Sequence, residues 1–177
     1  MSSLGLFQVS TYGAALEAAN MATNRPELKL RELIPFGTYC QLLIEGPTKI
    51  LNGYRKALRT ADIQKSVIIE NPDPRLLKAY YHLENNKAQS FLLCLENEFA
   101  GYLLQWGQAL LTKENLEIVE FRQPRFPHSL AVLVLTGKDL GLLQTQMDAM
   151  ERSQIKVSFV EDPSLQLRSY FEIDAKN

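Results

Sequence analysis

The chain reads SVIIENPDPRLLKAYYHLE over residues 66–84 and KVSFVEDPSLQLRSYFEI over residues 156–173. Both stretches pass from a β-rich run through an acidic Asp-Pro turn into a short apolar-periodic segment. Each segment ends in paired aromatics, which are Tyr80-Tyr81 in the first stretch and Tyr170-Phe171 in the second. Because an internal repeat decides the architecture of a whole chain, the remaining sequence has to be compared at the same spacing.

Two further pairs of segments match at that spacing. CQLLIEGPTKILNGYRKAL begins at Cys40 and LAVLVLTGKDLGLLQTQMDAM at Leu130, and each is a strand-like run, a glycine and a helix-like run. LGLFQVSTYGAALEAAN, from Leu4, faces FLLCLENEFAGYLLQWGQ, from Phe91. Three matches in one order indicate a duplication. We therefore predict two domains, residues 1–86 and 87–177, joined near the polar stretch HLENNKAQS.

Within each copy the predicted elements follow the order βαββαβ, which is the ferredoxin-like arrangement. In the first copy we expect a strand over residues 28–33, a turn-like stretch over 34–39, and a helix over 48–61 that Thr48 caps. Asp73-Pro74 is the pair expected at a helix start. The predicted fold is of the α/β (α+β) class: two tandem ferredoxin-like domains, each a four-stranded antiparallel sheet with helices.

Composition excludes several classes of protein. The 177 residues carry a formal net charge of -1, and neither sign of charge forms a long block, so the basic footprint of a nucleic-acid-binding protein is missing. Apolar runs are too short to span a bilayer, and the N-terminus lacks the basic region of a secretory signal. Two cysteines, Cys40 and Cys94, make no disulfide framework. We expect a cytoplasmic protein with reduced, half-buried thiols.

The stretch from Gly5 through AALEAAN, residues 14–20, resembles the opening of bacterial microcompartment (BMC) shell domains, which typically read G-x-I-E-T-x-G and then A-A-I-E-A-A-D. NPDP, residues 71–74, is similar to the family's N-P-H-P ending, and Lys138-Asp139 after Gly137 to its R-G-D-V turn. The double copy implies the tandem-domain type, whose chains form trimers that look like hexamers. The resemblance implies a structural shell protein, a homotrimer (pseudohexamer) whose central pore controls the passage of metabolites.

The resemblance also implies roles for particular residues. In this family the loop between the second and third strands lines the pore, and counting back from Gly46 and Gly137 places it at Pro35, Phe36, Gly37, Thr38, Arg125, Phe126, Pro127, His128 and Ser129. Shell-forming members usually carry a lysine on the outer edge, where this chain has Asn24 and Thr112, with Arg25 and Lys113 one residue further. These four residues are the implied assembly edge, and the missing lysine counts against the formation of extended sheets.

We expect neither catalysis nor a cofactor. His82 and His128 lie in unrelated parts of the repeat, and the chain has no P-loop and no G-x-G-x-x-G after a strand. Some tandem shell proteins hold an iron–sulfur cluster through a cysteine of the pore loop, but Cys40 lies beyond that loop in a predicted strand. No metal is therefore predicted. The implied partners are further copies of the chain, as a homotrimer or as stacked trimers, and other BMC shell proteins.

Two alternatives remain open. The first is an oligomeric ferredoxin-like regulatory protein that binds a small molecule, for which a cleft with convergent polar groups is expected. The second is a trimer of shell ancestry that no longer tiles, as the residues at Asn24 and Thr112 indicate.

Overall fold

The structure is a computed structural model that describes residues 2–58, 63–83, 87–113, 115–124, 130–138 and 143–174. It divides into two compact units, Met1–Pro72 and Asp73–Asn177. Each unit is built around one four-stranded antiparallel sheet.

The first unit contains four strands and two helices among its described residues. In chain order they are β1 (Ser3–Val9), α1 (Tyr12–Thr23), β2 (Lys29–Phe36), β3 (Tyr39–Gly46), α2 (Thr48–Ala57) and β4 (Ile63–Glu70). The strands lie in the order β2-β3-β1-β4. The predicted ferredoxin-like arrangement is thus confirmed for this unit.

Both helices of the first unit pack on one face of its sheet, against Phe7, Leu42 and Ile44. Helix α1 buries only alanines, and these small side chains let its backbone approach closely. Tyr54 of α2 reaches across, and its hydroxyl donates to the Ala18 carbonyl at 2.7 Å. Burial raises the pKa of Tyr54, so the phenol remains a neutral donor. The alanine-rich sequence is therefore explained partly by a close contact within its own domain.

The second unit repeats this arrangement and carries two further helices, one at its start and one at its end. In chain order its elements are α3 (Pro74–Tyr80), β5 (Phe91–Asn97), α4 (Ala100–Lys113), β6 (Leu116–Arg122), β7 (Ala131–Gly137), α5 (Leu143–Arg152), β8 (Lys156–Glu161) and α6 (Leu165–Asp174). The sheet order is β6-β7-β5-β8, the same order as in the first unit. The predicted α+β fold with two ferredoxin-like domains is therefore confirmed.

The two sheets share irregularities as well as strand order. The register between β2 and β3 shifts between Leu30 and Glu32, and that between β6 and β7 shifts between Ile118 and Glu120. β-Bulges are usually retained at equivalent positions in related sheets. Leu30 and Ile118, 88 positions apart, therefore occupy equivalent places in the two units.

A glycine ends the third strand of each unit, for the same packing reason. A Cβ on Gly46 would lie 2.5 Å from Cδ2 of Leu28, and one on Gly137 would lie 2.9 Å from Cδ2 of Leu116. Leu28 and Leu116 are again 88 positions apart, whereas the glycines are 91 apart. From the third strand of each unit onward, equivalent positions are therefore offset by 91.

Helix α3 belongs to the second compact unit, although it continues the first repeat in sequence. It packs against β6 and α4. The predicted helix start is confirmed, because the Asp73 side chain accepts a hydrogen bond from the Arg75 N–H and Pro74 begins the helix. The repeat boundary at residues 86/87 stays a prediction about the sequence. The compact units divide at residues 72/73 because α3 packs with the second sheet.

Two local predictions were wrong. Thr48 does not cap α2: the N-cap is Pro47, which makes no side-chain capping bond, and the Thr48 hydroxyl lies 2.7 Å from that of Ser3. The turn-like stretch predicted over residues 34–39 is mostly strand, since β2 runs to Phe36 and β3 starts at Tyr39. Cross-strand pairing holds this stretch extended, so that only Gly37 and Thr38 remain in the turn.

Candidate functional site

The first predicted pore loop is a tight hairpin turn at the end of β2 and β3. Phe36 pairs with Tyr39, and their ring centroids lie 5.4 Å apart. Gly37 has a φ of 56°, a conformation that glycine adopts without steric cost. Pro35, Gly37 and Thr38 are exposed, whereas Phe36 is half-buried beside Tyr39. The turn therefore presents backbone and small side chains at its tip, and an aromatic pair immediately behind it.

A depression of about 380 Å³ lies beside this turn. Its lining comes from the segment between β1 and α1 and from the hairpin: Ser10, Thr11, Tyr12, Pro35, Gly37, Tyr39 and Cys40. Thr11 is committed to the helix, because its hydroxyl accepts from the Ala14 N–H at 3.1 Å. The Ser10 hydroxyl is buried and has no hydrogen-bond partner within the described residues. None of these lining residues carries a charge, so the polar groups of the depression are hydroxyls, a thiol and backbone.

The second predicted pore loop, Arg125, Phe126, Pro127, His128 and Ser129, lies outside the described residues. Its approach is described as far as Pro124, which is buried. At the end of β6, the Arg122 guanidinium forms an ion pair with Glu120. This pairing raises the pKa of Arg122, so the strand carries a permanent cation next to the loop.

The predicted edge residues lie at the ends of the two equivalent helices. Asn24 is the C-cap of α1, and its backbone N–H donates to the Asn20 carbonyl at 3.1 Å. Arg25 stacks on the ring of Tyr54, 6.0 Å from its centroid. The Thr112 hydroxyl donates back to the Gln108 carbonyl at 2.7 Å. Lys113 ends α4, and its side chain lies outside the described atoms. Arg25 and Thr112 are thus engaged with their own units.

Both cysteines are free thiols. Burial raises the pKa of Cys40, and burial with a smaller contribution from Glu96 and Glu120 raises the pKa of Cys94 to about 11. Metal ligation requires the thiolate, so the surroundings of both residues disfavour that form. Within the described ranges no group of three or more His, Cys, Asp or Glu side chains is close enough to hold a metal ion.

One class of surface residue was missed at the level of sequence. Large apolar side chains are exposed on α1 and α6, at Tyr12, Leu16, Leu167 and Tyr170. They belong to periodic apolar patterns that predict a buried helix face, so the sequence alone does not distinguish them from core. Comparing their burial with that of the equivalent residues in the other repeat is the signal that identifies them.

The chain is similar to a microcompartment protein from Desulfitobacterium hafniense DCB. The crystal structure of that protein matches with a TM-score of 0.76 and 21% sequence identity, and the match covers 96% of this chain and 99% of that chain. This chain has the fold of a microcompartment protein. The agreement extends over both compact units, so the double-domain architecture as a whole is shared.

Other comparisons find less. A proposed glycine cleavage system transcriptional repressor and an unknown protein from Galdieria sulphuraria match with TM-scores of 0.32 and 0.31, each at 12% identity over 90% of this chain and 97% of that chain. These scores lie below the level that indicates a common fold. No family model matches the sequence, and no curated protein matches it. Among the helices of the described ranges, none combines the length and the apolar character of a membrane span.

Proposed function

We propose that this chain is a structural shell protein of a bacterial microcompartment, located with that compartment in the cytoplasm. The observation that carries the proposal is the shared double-domain fold: two ferredoxin-like units that match a microcompartment protein over 96% of this chain. A building block with two similar domains suits a closed ring, because a repeated head-to-tail contact closes when its rotation divides a full turn. Three chains then make a pseudohexameric ring of six domains. The role is structural, with no enzymatic activity.

The β2–β3 turn is proposed to line a central pore in that ring. Gly37 and Thr38 are exposed at its tip, and the Phe36–Tyr39 pair lies behind them. Exposed backbone N–H groups in turns attract anions, whereas aromatic rings narrow a channel and exclude water. The three turns from the first repeats alternate around the axis with the three second loops. Such a pore controls metabolite passage without any bound cofactor.

The residues of the implied assembly edge argue against the association of rings into extended sheets. Asn24 and Thr112 stand where shell-forming members of the BMC family usually have a lysine. The neighbouring Arg25 stacks on Tyr54 of its own unit. A charged group held on its own domain is less available to a neighbouring ring. A trimer of shell ancestry that does not tile alone, and that joins a shell through other BMC proteins, is therefore a candidate of its own.

A second candidate function is small-molecule binding at the depression beside the turn. The buried Ser10 hydroxyl supports it, because a buried polar group without a partner is costly unless a ligand or water satisfies it. A screen of small polar metabolites by thermal unfolding tests this function. A stabilising ligand whose effect is lost in Ser10→Ala favours the regulatory role, whereas a rise that persists in Ser10→Ala places the ligand elsewhere.

Light scattering on a sizing column tests the shell proposal directly. A chain of 20.1 kDa predicts about 60 kDa for a closed ring of three, or twice that mass if two rings stack. Negative-stain electron microscopy of the same fraction should show discs with a central hole. A stable monomer or dimer at micromolar concentration would contradict the ring, and discs that never associate laterally would identify the non-tiling form.

A further inference from the structure

Helix α3 is docked on the second domain by a defined set of contacts. A Cβ on Gly107 of α4 would lie 2.8 Å from Cδ2 of Leu76, so the two helices touch at this glycine. The Gln108 side-chain oxygen accepts from the Asp73 N–H at 2.7 Å. Further along, the ring centroids of Tyr80 and Phe121 are 5.4 Å apart.

Arg75 adds polar contacts at the same junction. Its guanidinium donates to the Leu116 carbonyl at 3.1 Å and to the Leu111 carbonyl at 3.4 Å, at the end of α4. A cationic donor at a helix C-terminus satisfies carbonyls that have no partner within the helix. The docked position of α3 is therefore specified by apolar contact and by hydrogen bonds together.

Helix α6 is the equivalent of α3 in the second repeat. Asn71 and Asp162 both have positive φ, 47° and 44°, and each is followed by a proline and a side chain that accepts a hydrogen bond from the first turn of the helix. Aligning these residues places Leu167 at the position of Leu76, Tyr170 at that of Ala79, and Phe171 at that of Tyr80. The aromatic pairs are thus offset by one residue from the alignment read off the sequence.

The docking face that is buried on α3 is exposed on α6. Leu76 and Ala79 are each 1% exposed, whereas Leu167 is 36% and Tyr170 is 51% exposed. Phe171 packs instead against the outer face of its own sheet, near Leu92 and Val134. Helix α6 is therefore held on its own domain by Phe171, and the Tyr170 hydroxyl accepts a hydrogen bond from Arg122 of the same unit. Leu167 remains the exposed apolar side chain of the docking face.

The surface that receives α3 on α4 is likewise exposed on α1. Leu16 is 49% exposed, whereas its equivalent Leu104 is 2% exposed. Thr23 and Asn20 are exposed, at the positions of buried Leu111 and half-buried Gln108. The chain thus contains the α3–α4 contact in its formed state. It also exposes the two equivalent surfaces, one on α6 and one on α1.

We propose that α6 of one chain docks on α1 and β2 of a second copy, in the way that α3 docks on α4 and β6. This inference deepens the proposed ring, on which it rests, by naming the surfaces that join one chain to the next. Leu167 then packs on α1 at Ala19, which is the equivalent of Gly107, whereas Phe171 stays on its own sheet. The small residues of the α1 stretch GAALEAAN serve this close approach.

The polar groups at the two junctions correspond in chemistry. Gln108 accepts from the Asp73 N–H, and Asn20 stands at the equivalent position, where its side-chain amide oxygen is available to the Ser164 N–H of the second copy. Gln166 stands at the position of Arg75, and its amide N–H replaces the guanidinium as donor to the carbonyls that end α1 and begin β2. Both side chains, Asn20 and Gln166, are exposed in the single chain.

The outer face of the second sheet, like α6, is more exposed than its equivalent in the first repeat. Ile69 of β4 is 5% exposed, whereas its equivalent Val160 of β8 is 42% exposed. The second sheet therefore has an incompletely covered outer edge beside α6. A neighbour that contacts α6 extends over this edge as well, so α6 and Val160 form one continuous surface for a second copy.

Disulfide trapping in the full-length chain tests the junction. The pair Asn20→Cys and Ser164→Cys, both exposed in the single chain and equivalent to the Gln108–Asp73 contact, should give on oxidation linked chains with a closed three-chain product on a denaturing gel. Either single substitution should give none, because Cys40 and Cys94 are buried or half-buried. A link within one chain, or no link at all, would overturn the docking proposal. A ladder beyond three chains would support the junction and contradict the closed ring.

Light scattering of the unmodified chain separates the two levels of the proposal. A three-chain mass with no interchain link means that the ring exists but is joined by other surfaces. A one-chain mass contradicts ring and junction together. Leu167→Glu should lower the measured mass threefold, whereas Leu165→Glu should leave it unchanged: Leu165 lies on the same helix, is 81% exposed, and occupies the position of the exposed Pro74. If Leu165→Glu dissociates the ring equally, the named face is wrong.

Discussion

At the scale of single residues, two glycines of the first domain have different surroundings. A Cβ on Gly46 would lie 2.9 Å from the Glu27 carbonyl oxygen as well as against Leu28, and a backbone oxygen has little room to move. Gly53, inside α2, has no heavy atom within 4 Å of such a Cβ. One glycine is required by packing, and the other only lowers the helix propensity of α2.

We therefore expect opposite signs for the two alanine substitutions. Gly46→Ala should lower the free energy of unfolding by about 1–3 kcal/mol, the usual cost of overpacking. Gly53→Ala should raise it by about 0.5–1 kcal/mol, because alanine favours a helix over glycine. Urea unfolding of both variants measures the two values. Equal effects would mean that the contact between β3 and the start of β2 is not tight.

The thiols provide a second prediction at this scale. Burial raises the pKa of Cys94 to about 11, against about 8.5 for a free thiol. At pH 8 this pKa makes the thiolate fraction of Cys94 roughly a hundredfold or more smaller than that of a free thiol. The thiolate is the form that reacts, so the reaction slows by the same factor. We expect slow reaction of the folded protein with a thiol reagent such as DTNB. The guanidinium-unfolded chain is the control, and equal rates in both states would contradict the buried environment of the cysteines.

At the scale of elements, the N-terminus of α3 depends on Asp73. Its carboxylate caps the helix and forms an ion pair with Arg75 at 2.7 Å. The hydrogen bond from Arg75 lowers the pKa of Asp73. Asp73→Ala should cost about 1 kcal/mol of stability through the lost cap, and Asp73→Asn less, because asparagine also caps helices.

The pH dependence of the Asp73 contribution has a definite sign. A folded-state pKa below the unfolded value means that the carboxylate contributes stability above the unfolded pKa, near 4, and loses it as pH falls through the folded pKa. The stability difference between the natural chain and Asp73→Asn should therefore shrink from pH 6 to pH 3. Asp148→Asn, on the exposed side of α5, is the matched control. A difference that stays constant over this range would exclude a role for the charge.

The sequence predicts most elements because their signals are local. The apolar alternation, the Asp73-Pro74 pair and the repeated segments all correspond to observed strands and helices. Thr48 was misjudged because a proline precedes it and takes the cap position, so its hydroxyl contacts Ser3 instead. The extension of β2 through Pro35 and Phe36 depends on pairing with β3, which is a long-range contact that no local pattern contains.

The packing of α3 illustrates a limit of a different kind. Its apolar residues Leu76, Ala79 and Tyr80 predict a buried face but do not identify the sheet on which that face lies. The exposed strip on α6 has the same origin, since Leu167 and Tyr170 fit a core pattern equally well. Tertiary contact, and not periodicity, determines which of two equivalent helices is covered.

At the scale of the whole molecule, each repeat exposes one apolar surface. The first repeat exposes α1 with Leu16, the second exposes α6 with Leu167, and the proposed contact joins these two surfaces from different chains. Such a contact is heterologous, with different patches on the two partners, and a heterologous contact builds rings or filaments rather than symmetric pairs. Each chain then carries one donor and one acceptor surface. Blocking either surface stops assembly, but for a different reason in each case.

Mixing two blocked variants distinguishes this arrangement from a symmetric one. A Leu16→Glu chain keeps its α6 strip and loses the α1 surface, whereas a Leu167→Glu chain keeps α1 and loses α6. Each alone should be a monomer, because a buried glutamate without a partner is costly. Together they retain one intact junction, so light scattering should show a two-chain complex of about 40 kDa from chains of 20.1 kDa.

The mixture has a matched control and a clear contrary result. Glu17→Lys lies on the same helix as Leu16 but at the position of the exposed Gln105, so it should leave the ring intact. Two monomeric variants that never combine would show that these surfaces do not pair head to tail. If each variant instead dimerises alone, the contact is isologous and the six-domain ring has to be rebuilt on other faces. A two-chain complex that forms only in the mixture requires one donor and one acceptor per chain, which is the condition for a ring of identical subunits.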